Sequence, residues 1–176
     1  NQILENAERP AIEKEYLPMG NYNDYHISQS VEKHLEKSKE DLFFFAVGFR
    51  KPHLPFAAPR RFWELYNDSE IQVSDYDTAP INGDTIVYQW SELAAYKGHS
   101  EMYFDTNYRN KKVEDKDAKD LIHGYMASIS FIDSLVGRVV GKLKKLDLDK
   151  NTIIVFVSDH GFHLGDQQIW GKHSSY

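Results

Sequence analysis

The sequence contains no cysteine. A disulfide framework, a thiolate nucleophile and a Cys-ligated zinc site are therefore excluded, and the compartment is left open. No apolar run approaches the roughly 18 residues of a membrane-spanning helix. The longest, Leu42–Val47, has the length of a strand. Positive charge is not in excess either: 21 Lys and Arg stand against 27 Asp and Glu, a net charge of −6. A general nucleic-acid binder, which needs a basic face, is thereby disfavoured. Internal repeats and low-complexity tracts are missing. No signal peptide is legible, and because the chain opens on Asn1 that says nothing about targeting.

What is present is enough to build a core. Ten Phe and eleven Tyr argue against disorder along the whole chain, and 176 residues suggest one domain. Residues 1–22, punctuated by Pro10, Pro18 and Gly20, read as an irregular lead-in. Residues 24–39 read as a helix: Ile27, Val31 and Leu35 recur at spacing four, and Asn23 or Asp24 is available as a cap. The run 42–47, closed by Gly48, reads as a strand buried on both faces. A Pro-punctuated loop follows, then a short helix from Arg60 to Tyr66.

Residues 67–112 have no clean period and exceed the usual loop length, so they read as an irregular insertion. Residues 117–146 carry the strongest helical rhythm, from Leu121 through Ile132 to Leu146. Asp115 or Asp117 could cap that helix, and Lys142, Lys144 and Lys145 oppose its dipole. Ile153–Val157 reads as a second buried strand, leading into a polar Gly- and His-rich loop. Helix, strand, helix, strand is an α/β pattern with a parallel sheet.

Open α/β sheets bind ligands outside the carboxyl ends of their strands. Both apolar runs feed His-bearing loops: Lys51 and His53 after the first, Asp159, His160, His163 and Lys172 after the second. If the strands are parallel, the two loops emerge on the same edge. Asp159-His160-Gly161 supplies a carboxylate and an imidazole for a divalent metal, with a Gly for the sharp turn. Equally, Asp159 could cap a turn and His160 could be a satisfied polar residue. Lys51 and His53, stiffened between prolines, suit a sulfate or phosphate group with His as proton donor; a solvated basic loop is the plainer alternative. Lys172 taken alone is a surface lysine. Tyr88, Trp90, Tyr96, Tyr103 and Tyr108 could stack on sugar rings or merely pack an irregular region.

Taken together these motifs resemble one family. Gly48-Phe49-Arg50-Lys51-Pro52-His53-Leu54-Pro55-Phe56 is similar to the Gly-Phe-x-Lys-Pro-His-x-Pro-Phe segment of iduronate-2-sulfatase-like sulfatases. Tyr125–Asp133 with Val136-Gly137-Arg138 resembles the helix before their last metal loop. Asn151–Gly161 resembles the strand and metal loop, and Gly165-Asp166 with Trp170-Gly171-Lys172 resembles its continuation.

The resemblance implies an α/β fold, part of an alkaline-phosphatase-like sandwich with a mostly parallel central sheet flanked by helices. It implies sulfate-ester hydrolysis by a formylglycine nucleophile and a divalent metal, Ca2+ by family habit. On that resemblance Asp159 and His160 are metal ligands. Lys172 and His53 contact the sulfate, His53 alternatively protonating the leaving alcohol, and Lys51 is a substrate-binding candidate or only orients its loop. The implied substrate is a sulfated small molecule or glycan, and the implied compartment is exported or lysosomal.

The departure lies in the nucleophile. No Cys/Ser-x-Pro-x-Arg motif occurs in the 176 residues, nor do the paired aspartates and the Lys/His pair that the family places before this region. The expectation is an internal piece of a sulfatase catalytic domain, needing the remainder of the sulfatase chain and inactive alone. Two other readings stay open: a phosphodiesterase or phosphonate monoester hydrolase of the same superfamily, and a non-catalytic module that binds sulfated glycans.

Overall fold

The computed structural model describes residues 9–14, 17–76, 78, 92–99 and 113–172. Its backbone is a 31-residue helix, α3 (Asp115–Lys145), on which everything else is laid. The three-four rhythm turns Ala118, Leu121, Ala127, Phe131, Ile132, Leu135 and Leu143 inward. Asp115 and Asp117 occupy the first turn rather than the cap, which is Glu114 and makes no side-chain cap bond. Their charge still favours the positive end of the helix, as Lys142, Lys144 and Lys145 favour the negative end.

Helix α1 (Asn23–Lys37) lies along the C-terminal half of α3. Leu35 is fully buried, Tyr22 meets Phe131 edge-on at 5.1 Å, and the Arg138 guanidinium sits 5.0 Å over the Tyr25 ring. Arg138 pairs with Glu32 at 2.5 Å, and Lys142 pairs with Glu36 one turn further on. Such partly exposed ion pairs are worth about 0–1 kcal/mol each, against about 1.5–3 kcal/mol for one buried Leu or Phe. Apolar burial therefore holds the two helices together, and the charges fix their register. Neither Asn23 nor Asp24 caps α1; the cap position is Tyr22, and Asp24 is turned to another use.

The other half of α3 is covered by β1 (Ile12–Glu13), β2 (Phe56–Ala57) and the short helix α2 (Arg60–Trp63). The two strands pair in parallel, Ile12 opposite Phe56 and Glu13 opposite Ala57. The lead-in read as irregular thus supplies a strand. The backbones approach closely here. A Cβ at Gly124 would lie 2.9 Å from Phe56 Cβ and 3.0 Å from Trp63 Cη2. An antiparallel hairpin, β3 (His163–Leu164) and β4 (Trp170–Gly171), closes the same end, with Trp170 buried among Leu93, Ala94, Ala95 and Tyr96.

The two apolar runs need correction. Leu42–Val47 and Ile153–Val157 pair with no strand among the described residues, and they are not buried. Phe44 is 90% exposed and Ile153 is 91% exposed. A doubly buried parallel strand needs a neighbour on each edge and a helix on each face, and the described residues supply neither. Phe43 and Phe45 stack at 5.0 Å, the period-two placement that a strand-like backbone gives. Within 67–112, two 3-10 turns are described, Asp68–Glu70 and Glu92–Ala95, the second buried in the core. Tyr96 is core too, which leaves it no open face for a sugar; Tyr88, Trp90, Tyr103 and Tyr108 lie outside the described residues. Among the described residues no helix is long and apolar enough to cross a membrane.

Gly124→Ala tests the close approach. At an open helix position the change would stabilise by up to about 1 kcal/mol. Here overpacking against Phe56 and Trp63 is expected to cost about 1–3 kcal/mol in urea unfolding. A gain in stability would show that the contact is slack.

Candidate functional site

Three segments distant in sequence converge on one carboxylate. The first is the loop 48–55. Asp24, in the first turn of α1 and buried, accepts from the Arg50 amide at 2.8 Å and the Lys51 amide at 3.1 Å. The loop folds back on itself through Lys51, whose ammonium donates to the carbonyl of His53 at 3.0 Å and to that of Pro55. Burial lowers the Lys51 pKa from its ordinary 10.5 to about 8. Its charge is spent within the loop, and its side chain points at backbone rather than outward. The Lys51–Pro52 and Leu54–Pro55 peptide bonds are both cis.

The second segment is the hairpin β3–β4. Gly165 sits at φ 101°, and a Cβ there would come 2.9 Å from Trp170 Cζ2. Only glycine allows both the left-handed turn and the indole beneath it. The hairpin sets His163 opposite Gly171 and delivers Lys172 at its end. The third segment is the 3-10 turn Glu92–Ala95, against which β4 packs.

Glu92 joins them. Its Oε1 lies 3.0 Å from His53 Nε2, and its Oε2 lies 3.2 Å from Lys172 Nζ. The lysine contact is an ion pair off the hydrogen-bond direction, for Oε2 is buried without a hydrogen-bonded partner. Burial pushes the Glu92 carboxyl up, but the hydrogen bond from His53 and the charges of His53 and Lys172 outweigh it, and the group lies below its ordinary range. His53 Nδ1 is 2.7 Å from the Leu54 carbonyl. Both ring nitrogens therefore face oxygen acceptors. His53 and Lys172, candidates from sequence, are brought together. Glu92 and Asp24 were missed as site residues: Glu92 is an acid in an aperiodic stretch, and Asp24 reads as a helix cap. The available signal was an acid set directly before Leu93-Ala94-Ala95-Tyr96, where burial demands a cationic partner.

Asp159 and His160 form a separate pair, 86% and 45% exposed at their side chains. His160 Nδ1 lies 2.8 Å from the Gly161 carbonyl, the outer hydrogen bond typical of a metal-ligating imidazole. A neutral ring donating there turns its Nε2 lone pair toward Asp159 Oδ2, 3.4 Å away. A cation between them would satisfy both atoms. The pair fits as part of a coordination shell; among the described residues no group of three or more His, Cys, Asp or Glu gathers. Phe162, just beyond, meets Phe56 edge-on at 5.6 Å, so the loop after Asp159 packs on the strand after His53.

A family model for sulfatases matches residues 1–176, the whole chain. The chain belongs to the sulfatase family. This sulfatase chain is 31% identical over 163 residues to iduronate 2-sulfatase of Homo sapiens, covering 91% of the chain and 29% of that protein. Its identity to choline-sulfatase of Rhizobium meliloti is 30% over 127 residues, 72% of the chain and 22% of that protein. In structure it is similar to a phosphonate monoester hydrolase from Silicibacter pomeroyi, with a TM-score of 0.70 at 20% identity over 99% of this chain and 35% of that one. The fold is accordingly alkaline-phosphatase-like, and the chain spans under a third of the human relative. Membership of the family implies a divalent metal.

The depressed pKa of Lys51 gives a signed expectation. Above pH 8 the folded state loses this proton before the unfolded state does. Between about pH 8 and 10.5 the unfolded chain then binds more protons, so the Lys51 contribution to stability rises with pH. The stability of wild type relative to Lys51→Met should climb across that window in parallel denaturation series. A flat difference would mean that the ammonium is solvated.

Proposed function

We propose that this chain contributes the sulfate-recognition part of an enzyme that hydrolyses sulfate esters, with a sulfated sugar as the substrate class. The observation that carries the reading is the meeting of His53 and Lys172 at one point, although the two lie in separate loops. An ammonium beside an imidazole, a group that can pass a proton, is what the cleavage of an anionic ester asks of a protein. In this reading Lys172 binds sulfate oxygen and offsets the charge that develops on it. His53 orients the group and donates its proton to the departing alcohol oxygen, which otherwise leaves as a costly alkoxide. Lys51 shapes the loop that presents His53.

Asp159 and His160 would hold the divalent metal, calcium on the family resemblance, and that metal would supply positive charge against the sulfate oxygens. A carboxylate suits calcium, whereas an imidazole suits a transition metal better. The formylglycine of sulfatases has no precursor motif among these 176 residues. Turnover is therefore assigned to the complete polypeptide and not to this stretch alone.

The test uses the complete polypeptide and an aryl sulfate. His53→Ala and Lys172→Ala should each lower kcat/KM by about a hundred- to ten-thousand-fold. Chelation with EDTA should abolish turnover, and calcium should restore it. Preferred cleavage of a phosphonate monoester over the sulfate would turn the assignment to the neighbouring branch of the superfamily.

A further inference from the structure

We propose that Glu92 is a positioning residue: a built-in counter-ion that holds His53 and Lys172 side by side until the anionic group of the substrate takes over their charge. The inference rests on the sulfate-recognition reading of His53 and Lys172.

The argument begins with cost. Glu92 is 7% exposed, in a turn whose next four residues all belong to the core. An acid there must be paired, and even a paired buried acid adds little stability over an apolar residue of the same shape. Packing therefore does not explain it. Geometry does: each oxygen takes a different side chain, and the two arrive from loops 39 residues before and 80 residues after it in the sequence. The two loops are already anchored elsewhere, one by Asp24 and the other by the Gly165–Trp170 contact. What Glu92 adds is a partner for the Lys172 ammonium and a second one for the His53 ring, whose Nδ1 already meets the Leu54 carbonyl. It also faces His53 as an acceptor, on the side of the ring opposite the Leu54 carbonyl.

The same carboxylate competes with the ligand. With Glu92 in place, an incoming anion meets an ammonium and an imidazole that are already partnered. Without its charge, the Lys172 ammonium stands without a counter-ion in a half-buried site and the anion gains more by binding. Orientation and affinity therefore move in opposite directions, which a residue that merely supports the fold would not produce.

The experiment uses the complete polypeptide, with inorganic sulfate as the binding probe by calorimetry and an aryl sulfate for turnover. Glu92→Gln should tighten sulfate binding by about tenfold, because the competing charge is gone. The same variant should lower kcat by about ten- to a hundred-fold, because a single amide oxygen can hold His53 or Lys172 but not both. Unchanged or weaker sulfate binding, or no binding by either protein, overturns the proposal. If Glu92→Gln does not fold, Glu92→Asp decides. It keeps the charge and loses one methylene of reach, so sulfate affinity should stay within about twofold while kcat falls. An unchanged kcat overturns the proposal. A wild-type enzyme that cleaves no sulfate ester would sink the proposed function, and the calorimetric comparison would still decide on Glu92.

Discussion

The structure depends on how closely α3 approaches β2 at Gly124. The helix backbone comes near enough to Phe56 and Trp63 that no side chain fits between them. That contact fixes β2, and β2 fixes the end of the loop carrying His53. It also joins two packed groups of side chains: one around Phe56, Leu93 and Trp170, the other around Trp63, Phe131 and Leu135. A larger residue at this crossing would strain both groups, because close-packed interiors transmit displacement rather than absorb it.

The candidate site is built from loops on this rigid support, and its electrostatics are economical. Asp24 spends its charge on two backbone amides, Lys51 on two backbone carbonyls, and Glu92 on an imidazole and an ammonium. The first two shape a loop. The third sets the heads that would meet a ligand. Asp159 and His160 stand apart, exposed and paired with each other.

The long helix was legible because eleven apolar residues keep one rhythm over nearly thirty positions, and α1 because three residues at spacing four outweigh its many charges. The lysines and His53 could be found because glycines and prolines mark their loops. Glu92 could not be found that way: nothing periodic surrounds it, and its partners are far off in the chain. Asp24 was misread for a physical reason, since an acid at a helix start has two uses there and sequence does not say which. The apolar runs were misread for the opposite reason. Their composition matches buried strands, but burial is a property of neighbours, and among the described residues there are none to cover them.

Those uncovered runs have a practical consequence. Leu42–Val47 is uncharged, aromatic-rich and free of proline, and it leaves its backbone without a ladder partner among the described residues. Segments of that kind recruit one another in register and stack into insoluble cross-β assemblies. The flanking Lys39, Glu40, Asp41 and Arg50 set charge at both ends, the placement that hinders such stacking. When these 176 residues are handled without the remainder of the polypeptide, the two short hydrophobic strips, rather than the net charge, are where association would start.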